Sequence, residues 1–347
     1  MKIGDRIVGP GHPVFIIAEM SGNHNQKIEN AYKLIDVAVE AGVDAVKLQT
    51  YTPDTLTIDC DKKWFQIKGS AWDGNNLYKL YGDAYTPWDW QPKLKKYAED
   101  KGIMLFSTPF DNTAVDFLEK MNVAVYKVAS FENGDLQLLK KIASTGKPVI
   151  MSRGMANLED IELAVKTLKE NGTPQVAVLH CISSYPATPE EMNLATIADI
   201  AKRFNIISGL SDHTLTITAS IAAAALGASI IEKHFTLKKL SDRGPDAAFS
   251  IEPDGLKQLV TSVREIDVAI GKPNYEVKAK EKESAVFKRS IFVVKDIKKG
   301  DELTDENIRS IRPGYGLAPK YWDEVIGKTA TQDIERGTPL SWDLINK

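Results

Sequence analysis

Short runs of apolar, mostly β-branched residues alternate with amphipathic stretches along most of the chain. The apolar runs predict eight strands, at 14–18, 43–48, 103–106, 123–126, 148–151, 176–179, 206–207 and 230–231. Between them, apolar residues recur at helical spacing, and several of these stretches end in glycine, as helix C-termini often do. The predicted helices lie at 31–40, 90–100, 113–120, 136–144, 158–171, 197–202 and 217–226.

This alternation predicts the fold class. Near-continuous apolar strands separated by helices indicate a parallel sheet that is buried on both faces. Eight such units within about 270 residues fit an α/β fold, the (β/α)8 TIM barrel. A doubly wound open sheet is the alternative, but no Gly-x-Gly-x-x-Gly turn follows the first strand.

The pattern changes after residue 272. The segment 274–283 is charged and lacks strand character, so we predict a linker at 273–287. Beyond it a short motif occurs twice, as Asp296-Ile297-Lys298-Lys299-Gly300 and as Asp333-Ile334-Glu335-Arg336-Gly337. The duplication indicates a small pseudo-symmetric domain at 288–347 after a barrel at 1–272. Its thin core predicts that it packs on the barrel or on another subunit.

Composition excludes several classes of function. Both signs of charge are interspersed among the 347 residues and the net charge is −3, so neither a nucleic-acid partner nor a membrane partner is expected. Two cysteines without a Cys-x-x-Cys pair argue against a disulfide framework or structural zinc and suit a reducing cytoplasm. No signal peptide is expected, and the longest apolar region, 217–231, is too short to span a bilayer. We therefore expect a cytoplasmic protein.

Two histidine motifs close the last two predicted strands. They are Gly209-Leu210-Ser211-Asp212-His213-Thr214 and Glu232-Lys233-His234-Phe235. Because neighbouring parallel strands deliver their carboxyl ends to one mouth, the two imidazoles are expected side by side, where they can hold one divalent ion. The alternative is that each histidine only caps its strand by hydrogen bonding.

Polar residues at the other strand ends predict an anion site. Lys47 and Lys127 supply positive charge, which can hold a phosphate and a carboxylate. Short hydroxyl donors follow on several strands: Thr108, Ser130, Ser152, Ser183 and Ser211. Alternatively, the two lysines pair internally with Glu19 and Glu132. A Schiff base on Lys127 or Lys233 is a further possibility.

The long insertion at 52–87 follows the second predicted strand and is rich in aromatic residues. They are Trp64, Trp72, Tyr78, Tyr81 and Tyr85. Insertions after barrel strands lie on the catalytic face, so this one can form a lid over the mouth. The alternative is a surface excursion that packs on itself.

The ordered set of strand-end motifs resembles the sialic acid synthase family over nearly the whole chain. The matching segments include Ala18-Glu19-Met20-Ser21-Gly22-Asn23-His24, Lys47-Leu48-Gln49-Thr50, Ser107-Thr108-Pro109-Phe110, Tyr126-Lys127-Val128-Ala129-Ser130, Ser152-Arg153-Gly154-Met155, His180-Cys181-Ile182-Ser183-Ser184-Tyr185-Pro186 and both histidine motifs. The C-terminal repeat, with Arg312-Pro313-Gly314, looks like the antifreeze-like (SAF) domain of that family. Each motif alone is moderately specific, whereas the ordered set is highly specific.

The resemblance implies a reaction. C3 of phosphoenolpyruvate attacks the aldehyde of an open-chain N-acetylated amino sugar, which a divalent metal, Mn²⁺ or Mg²⁺, polarises. Water adds at C2, and the adduct loses phosphate with C–O cleavage, leaving a nine-carbon 2-keto sugar acid.

The resemblance also implies a role for each matching residue. Glu19 and Glu132 are the acid/base candidates, and His213 and His234 are the metal ligands. The residues implied to hold phosphoenolpyruvate are Lys47, Thr108, Lys127, Ser130, Ser152, Ser183 and Ser211. Those implied to hold the sugar are Asn23, Gln49, Tyr185, Asp246 and Arg312. Arg312 is expected to reach across a homodimer with swapped SAF domains.

Within the family, the chain looks like the pseudaminic acid synthase branch. The matching segments are 67–74, 77–81, 84–88 and Ala248-Phe249-Ser250, where the sialate branch typically has His-Lys-Ala-Ser. An aromatic lid and a less basic loop suit a 6-deoxy sugar, so the expected acceptor is 2,4-diacetamido-2,4,6-trideoxy-L-altrose. Ser183, where sialate enzymes usually carry Asn, and Arg153, where Thr is usual, depart from the family pattern.

Three alternatives stay open. The acceptor can instead be N-acetylmannosamine or a legionaminic acid precursor, as in other branches of the family. A Schiff-base aldolase is the second alternative. A carbohydrate-binding protein with an inert barrel is the third, although its strand ends would be expected to lack the polar groups found here.

Overall fold

The computed structural model describes residues 1–69, 72–239 and 244–346. Ser70 and Ala71, which belong to one segment matched to the pseudaminate branch, lie outside the described residues. Backbone contacts divide the chain into two compact units, Met1–Gly271 and Lys272–Lys347. No helix in the described ranges is long and apolar enough to cross a membrane.

Eight parallel strands in the first unit close into a barrel, with the last strand paired to the first. In chain order they are β3 (Phe15–Glu19), β4 (Ala45–Thr50), β5 (Met104–Pro109), β6 (Tyr126–Val128), β7 (Val149–Ser152), β8 (Val176–Cys181), β9 (Ile207–Asp212) and β10 (Ile230–His234). The predicted barrel is confirmed and the open sheet is excluded. A hairpin of β1 (Lys2–Ile3) and β2 (Arg6–Ile7) precedes it, and strands of two residues are too short for periodicity to detect.

Helices surround the barrel and bury apolar residues against the outward-facing side chains of the strands. They are α1 (Ile28–Ala41), α4 (Gln91–Asp100), α5 (Asn112–Lys120), α6 (Leu136–Ala143), α7 (Leu158–Glu170), α8 (Thr196–Phe204), α9 (Thr218–Ala225) and a helix at Pro253–Ala269. Two shorter helices, α2 (Pro53–Leu56) and α3 (Leu77–Ala84), lie in the insertion after β4 and have no buried residues. Side chains that accept hydrogen bonds from free backbone N–H groups begin several of the helices, including Asp111, Asp135 and Asn157. Short 3₁₀ turns lie at Lys63–Phe65 and Pro189–Glu191.

The second unit has its own small core. β11 (Ser290–Val293) pairs antiparallel with β12 (Ile308–Ile311), and short helices lie at Ala279–Glu283 and Trp322–Val325. Further 3₁₀ turns lie at Ser284–Phe287, Pro319–Tyr321 and Trp342–Leu344. Ile297 and Ile334, one from each copy of the repeated motif, exchange backbone hydrogen bonds of 2.9 and 2.8 Å. The repeat is therefore structural, because its two copies pair with each other.

Candidate active site

A cavity of about 420 Å³ lies at the carboxyl ends of the barrel strands, where TIM-barrel enzymes place their active sites. The strand ends contribute one set of lining residues, here called the floor: Lys47, Gln49, Lys127, Ser130, Glu132, Ser152, Cys181, Ser211, His213, Glu232 and His234. The insertion contributes a second set, here called the wall: Leu56, Ile67, Trp72, Leu77, Leu80, Tyr81 and Ala84. The insertion thus lines the cavity and does not pack only on itself.

Lys47 lies between the charged side chains at the floor. Its Nζ lies 2.6 Å from Glu19 Oε2 and 3.9 Å from Glu232 Oε1, and it donates to Thr108 Oγ1 at 3.1 Å. Burial alone would lower the pKa of Lys47, but the two carboxylates raise it above its ordinary value. The amine is therefore a fixed positive charge. Of the two internal ion pairs considered as an alternative to an anion site, the pair of Lys47 with Glu19 is present in the structure.

Lys127 is the second cation of the floor, and it has a weaker counter-charge. Its Nζ donates to Ser152 Oγ at 2.7 Å and to the Val128 carbonyl at 2.9 Å, while Glu232 Oε1 is 4.0 Å away. Burial lowers the pKa of Lys127, and the attraction of Glu232 opposes this effect only in part. An anion that enters the cavity would therefore supply the negative counter-charge that Glu232 provides only in part.

Five of the seven residues predicted to hold phosphoenolpyruvate line this floor, and two stand behind it. Ser130, Ser152 and Ser211 line the cavity with the two lysines. Thr108 lies behind Lys47 and accepts its hydrogen bond, and Ser183 donates to Ser130 at 2.9 Å. These two residues can orient the groups in front of them.

The two acid/base candidates occupy different environments. Glu132 lines the cavity, and its Oε2 is buried without a hydrogen-bond partner. Burial raises the pKa of Glu132 to about 7, although Lys127 draws it down. Glu19 is fully buried beneath the floor, paired with Lys47 and hydrogen-bonded by Gln49 at 2.9 Å. Glu132 is therefore the carboxyl group that can exchange a proton with a bound molecule.

His213 and His234 lie side by side, with ring centroids 5.4 Å apart. His213 donates through Nδ1 to the Ile182 carbonyl at 2.8 Å. Burial lowers the pKa of His213, but Cys181, the Ile182 carbonyl and Glu232 raise it above its ordinary value, so Nε2 must lose its proton before it can bind a metal. Burial holds the pKa of His234 well below its ordinary value, so the ring is neutral, and its Nδ1 has no hydrogen-bond partner. The neutral His234, together with His213 once its Nε2 has lost its proton, fits a divalent ion.

The protein supplies only part of a metal coordination sphere at this point. Across the described residues, no three His, Cys, Asp or Glu side chains form a group that could hold a metal ion. The carboxylate oxygen Asp246 Oδ2 lies 3.8 Å from His234 Nδ1. A metal held by two imidazoles would keep positions open for substrate or water, as catalytic metals do.

The predicted sugar-binding residues are divided among three places. Gln49, Tyr185 and Asp246 line the cavity. Asn23 is fully buried outside it and donates to the Phe235 carbonyl and to Ser250 Oγ. Arg312 is exposed in the second unit, directly after β12.

Alternation along β9 and β10 places Lys233 away from the cavity. Glu232 and His234 line the cavity, whereas Lys233 pairs with Asp212 at 2.9 Å, its register partner on β9. Lys233 therefore serves the structure and not a Schiff base. Arg153, which departs from the family pattern, donates through Nε to His180 Nδ1 at 3.1 Å.

Glu232 is the site residue that the sequence analysis left without a role. Its Oε1 accepts from Ser211 at 3.1 Å and faces both lysines, while its Oε2 is buried without a hydrogen-bond partner. Burial would raise the pKa of Glu232, but the two lysines and the Ser211 hydrogen bond together lower it below its ordinary value. The sequence did contain a signal for this position of Glu232. Glu232 is two residues from His234 and therefore lies on the same face of the strand.

Aromatic rings connect the insertion to the histidine pair. Trp72 Nε1 donates to the Pro245 carbonyl at 2.8 Å, and its ring lies 5.6 Å from Tyr185 and 6.3 Å from Phe249. Tyr185 in turn lies 4.3 Å from His213, and Phe249 lies 5.1 Å from His234. The wall and the histidines therefore share one packed aromatic cluster.

Comparison with known proteins identifies the family. The NeuB family model matches residues 34–275, and the SAF domain model matches residues 288–346. The chain belongs to the NeuB family. This confirms the resemblance on which the expected activity rests and makes the protein a sugar-condensing transferase.

Individual relatives extend this result. The chain is 43% identical to the pseudaminic acid synthase of Campylobacter jejuni serotype O:2, over 94% of this chain and 95% of that protein. It is 38% identical to the N,N'-diacetyllegionaminic acid synthase of the same organism, over 92% and 96%. The crystal structure of a Leptospira borgpetersenii N-acetylneuraminic acid synthetase in complex with citrate is similar, with a TM-score of 0.73 and 33% identity over 82% of this chain and 94% of that chain.

Proposed function

We propose that this NeuB family enzyme is a pseudaminic acid synthase. It condenses phosphoenolpyruvate with 2,4-diacetamido-2,4,6-trideoxy-L-altrose and water, and releases pseudaminic acid and phosphate. The observation that carries the proposal is one cavity in which a floor of lysines and hydroxyls adjoins a pair of imidazoles. The higher identity to a pseudaminic than to a legionaminic acid synthase from one organism supports this sugar.

The floor binds phosphoenolpyruvate in this proposal. Lys47 and Lys127 neutralise its phosphate and carboxylate, and Ser130 and Ser152 donate hydrogen bonds to their oxygens. Ser211 does the same once its hydroxyl turns away from Glu232. Thr108 and Ser183 orient Lys47 and Ser130 from behind. Because both lysines are fixed before the anion arrives, little ordering accompanies its binding.

His213 and His234 hold a divalent metal, Mn²⁺ or Mg²⁺, in this proposal. When bound, such an ion polarises the sugar aldehyde. Glu132, protonated below about pH 7, gives its proton to the oxygen that becomes a hydroxyl when the new C–C bond forms. Glu19 does not reach the cavity, so we assign it to fixing the charge and position of Lys47.

Gln49, Tyr185 and Asp246 bind the sugar in this proposal, and Asn23 supports them from behind through its bond to Ser250. Arg312 contributes from the SAF domain of a partner subunit in a swapped homodimer. Arg312→Ala should therefore raise the KM for the sugar about tenfold and leave the KM for phosphoenolpyruvate unchanged. An equal rise in both constants would contradict this assignment. The cytoplasmic location expected from the sequence stays a prediction.

Phosphate release over a panel of sugars tests the proposal. We expect turnover with the 6-deoxy diacetamido sugar, loss of turnover with chelator, and restoration by Mn²⁺ or Mg²⁺. Turnover with N-acetylmannosamine alone would reject the pseudaminate assignment but keep the enzyme class. Turnover that survives chelator, together with a borohydride-trapped adduct on Lys127, would favour the Schiff-base aldolase.

A further inference from the structure

We propose that the wall selects the acceptor sugar by receiving its C6 methyl group, which makes the insertion the specificity element of the enzyme. This inference rests on the proposed function, because it assumes that the aldehyde reacts at the floor. C1 then lies beside the histidines, and C6, at the other end of the six-carbon chain, points away from the floor.

The aliphatic side chains of the wall are suited to a methyl group and not to a hydroxyl, and the polar side-chain groups of its described residues are limited to the Trp72 N–H and the Tyr81 hydroxyl. Leu56, Ile67, Leu77 and Leu80 are aliphatic and partly exposed to the cavity. Among the described residues that the insertion contributes to the lining, none carries a charge. Trp72 directs its N–H to the Pro245 carbonyl. A C6 hydroxyl entering this region would exchange water for apolar neighbours, which disfavours binding.

The difference in polarity between the wall and the floor favours one orientation of the bound sugar. All the described lysines and histidines of the cavity lie on the floor, together with Glu132 and Glu232, while the remaining lining carboxylate, Asp246, comes from the loop after β10. A molecule with a reactive polar end and an apolar end is therefore expected to bind with its polar end at the floor. The diacetamido trideoxy sugar has that character, because it carries a methyl group where N-acetylmannosamine carries a hydroxyl.

The wall is also held in place, as a specificity element requires. Tyr51 joins it to the barrel, with its ring 5.7 Å from Tyr81 and its carbonyl accepting from Trp88 at 3.0 Å. α3, which carries Leu77 and Leu80, begins at Asn76, whose side chain accepts from the Tyr78 N–H at 2.8 Å. The aliphatic side chains are thus presented by a helix with a defined start.

Leu80→Asn provides the test, because asparagine keeps a similar shape and adds hydrogen-bonding groups. The kcat/KM is measured for 2,4-diacetamido-2,4,6-trideoxy-L-altrose and for the same sugar with a C6 hydroxyl. We expect the native enzyme to prefer the 6-deoxy sugar by about 10- to 200-fold, and the variant to lose about tenfold or more of this ratio. The KM for phosphoenolpyruvate should change by less than about twofold, because the floor is untouched.

Leu163→Asn is the matched control. Leu163 lies within α7 and is 49% exposed, so its substitution adds the same polar group to a helix outside the cavity lining. It should leave the sugar ratio unchanged. If Leu80→Asn does not fold, Leu80→Ala measures the same ratio with a shortened side chain.

Three outcomes separate the inference from the proposed function. An unchanged ratio in a folded Leu80 variant overturns the inference, and so does an equal loss of kcat/KM for both sugars. A native enzyme that uses neither diacetamido sugar overturns the proposed function itself. A reduced ratio with an unchanged KM for phosphoenolpyruvate supports both.

Discussion

The floor and the wall of the cavity are built in opposite ways. On the floor, Lys47 and Lys127 are at most 4% exposed, and each contacts a carboxylate or a hydroxyl. On the wall, aliphatic side chains remain partly exposed and make no ion pairs among the described residues. The floor comes from the ends of six of the eight strands, whose geometry the barrel fixes, whereas the wall comes from one insertion between two strands.

This difference assigns separate tasks to the two regions. Chemistry needs charges at fixed positions, and strand ends in a closed barrel provide them. Selection of a sugar needs a surface whose shape and polarity can vary without disturbing those charges, and an insertion provides it. Substitutions on the floor should therefore abolish the reaction, while substitutions on the wall should change which sugar reacts.

Lys47→Met is expected to have the largest effect. The substitution removes the cation between Glu19 and Glu232 and leaves a buried carboxylate without its partner. We expect the free energy of unfolding to fall by about 3–5 kcal/mol, and turnover to disappear. Denaturant unfolding and phosphate release measure the two effects. Lys96→Met, which breaks an exposed pair with Asp100, should cost less than about 1 kcal/mol. Equal losses of unfolding free energy in the two variants would show that the buried charge of Lys47 stabilises the protein no more than an exposed one.

His234→Ala comes next, with a large effect on turnover and a small one on stability. We expect phosphate release to fall at least about 100-fold, because the proposed metal site would lose one of its two imidazoles. Stability should change less than in Lys47→Met, because His234 Nδ1 has no hydrogen-bond partner to lose. Calorimetric titration with Mn²⁺ measures the binding directly. The exposed His12→Ala is the control. Native metal affinity in His234→Ala would count decisively against the metal site.

Glu132→Gln should change the pH dependence of the reaction. Because burial raises the pKa of Glu132 to about 7, the native kcat/KM should fall as the pH rises through 7 and the proton is lost. The variant should be about 10²- to 10⁴-fold slower, with that ionisation absent. A variant that keeps the native pH profile would remove Glu132 from the acid/base role.

The same substitution has a defined effect on stability. The folded-state pKa of Glu132 lies above the ordinary value of 4.5, so the folded protein holds this proton more tightly than the unfolded chain. The contribution of Glu132 to stability therefore falls as the pH rises from about 4.5 to about 7. Glu132→Gln should remove that decline, and unfolding curves at several pH values test it.

The sequence predicted the floor far better than the wall. Period-two strands bring their ends to one mouth, so His213, His234 and the two lysines could be placed from the pattern alone. The partners within the floor could not, because Glu232 contacts Lys47 and Lys127 across strands whose relative register no local pattern reports. Asn23 illustrates the same limit. Its motif predicted a sugar contact, but its side-chain amide donates hydrogen bonds to the Phe235 carbonyl and to Ser250 Oγ, outside the cavity.

The wall could not be predicted from periodicity, because its contacts are between distant segments. The aromatic residues of the insertion suggested a lid, yet the Trp72 partner Pro245 lies far along the chain. The aliphatic residues that line the cavity, Leu77 and Leu80, look in the sequence like the apolar face of an ordinary surface helix. Only the packing reveals that this face covers a cavity and not a core.

The smallest expected effect on turnover comes from Gly22→Ala, at the joint between the wall and the barrel. A Cβ at Gly22 would lie 2.8 Å from Pro245 Cγ and 2.9 Å from the Ala84 carbonyl oxygen, so the insertion or the loop after β10 must shift. We expect a stability loss of about 1–3 kcal/mol. The KM for the sugar should rise several-fold and the KM for phosphoenolpyruvate should not, because the shift displaces the wall relative to the floor. In Gly82→Ala, within α3, the new Cβ would meet only Pro53 at 3.7 Å, so about 1 kcal/mol of stability should be gained. If Gly22→Ala raised both constants equally, the floor and the wall would be one mechanical unit, and the separation of chemistry from selection would fail.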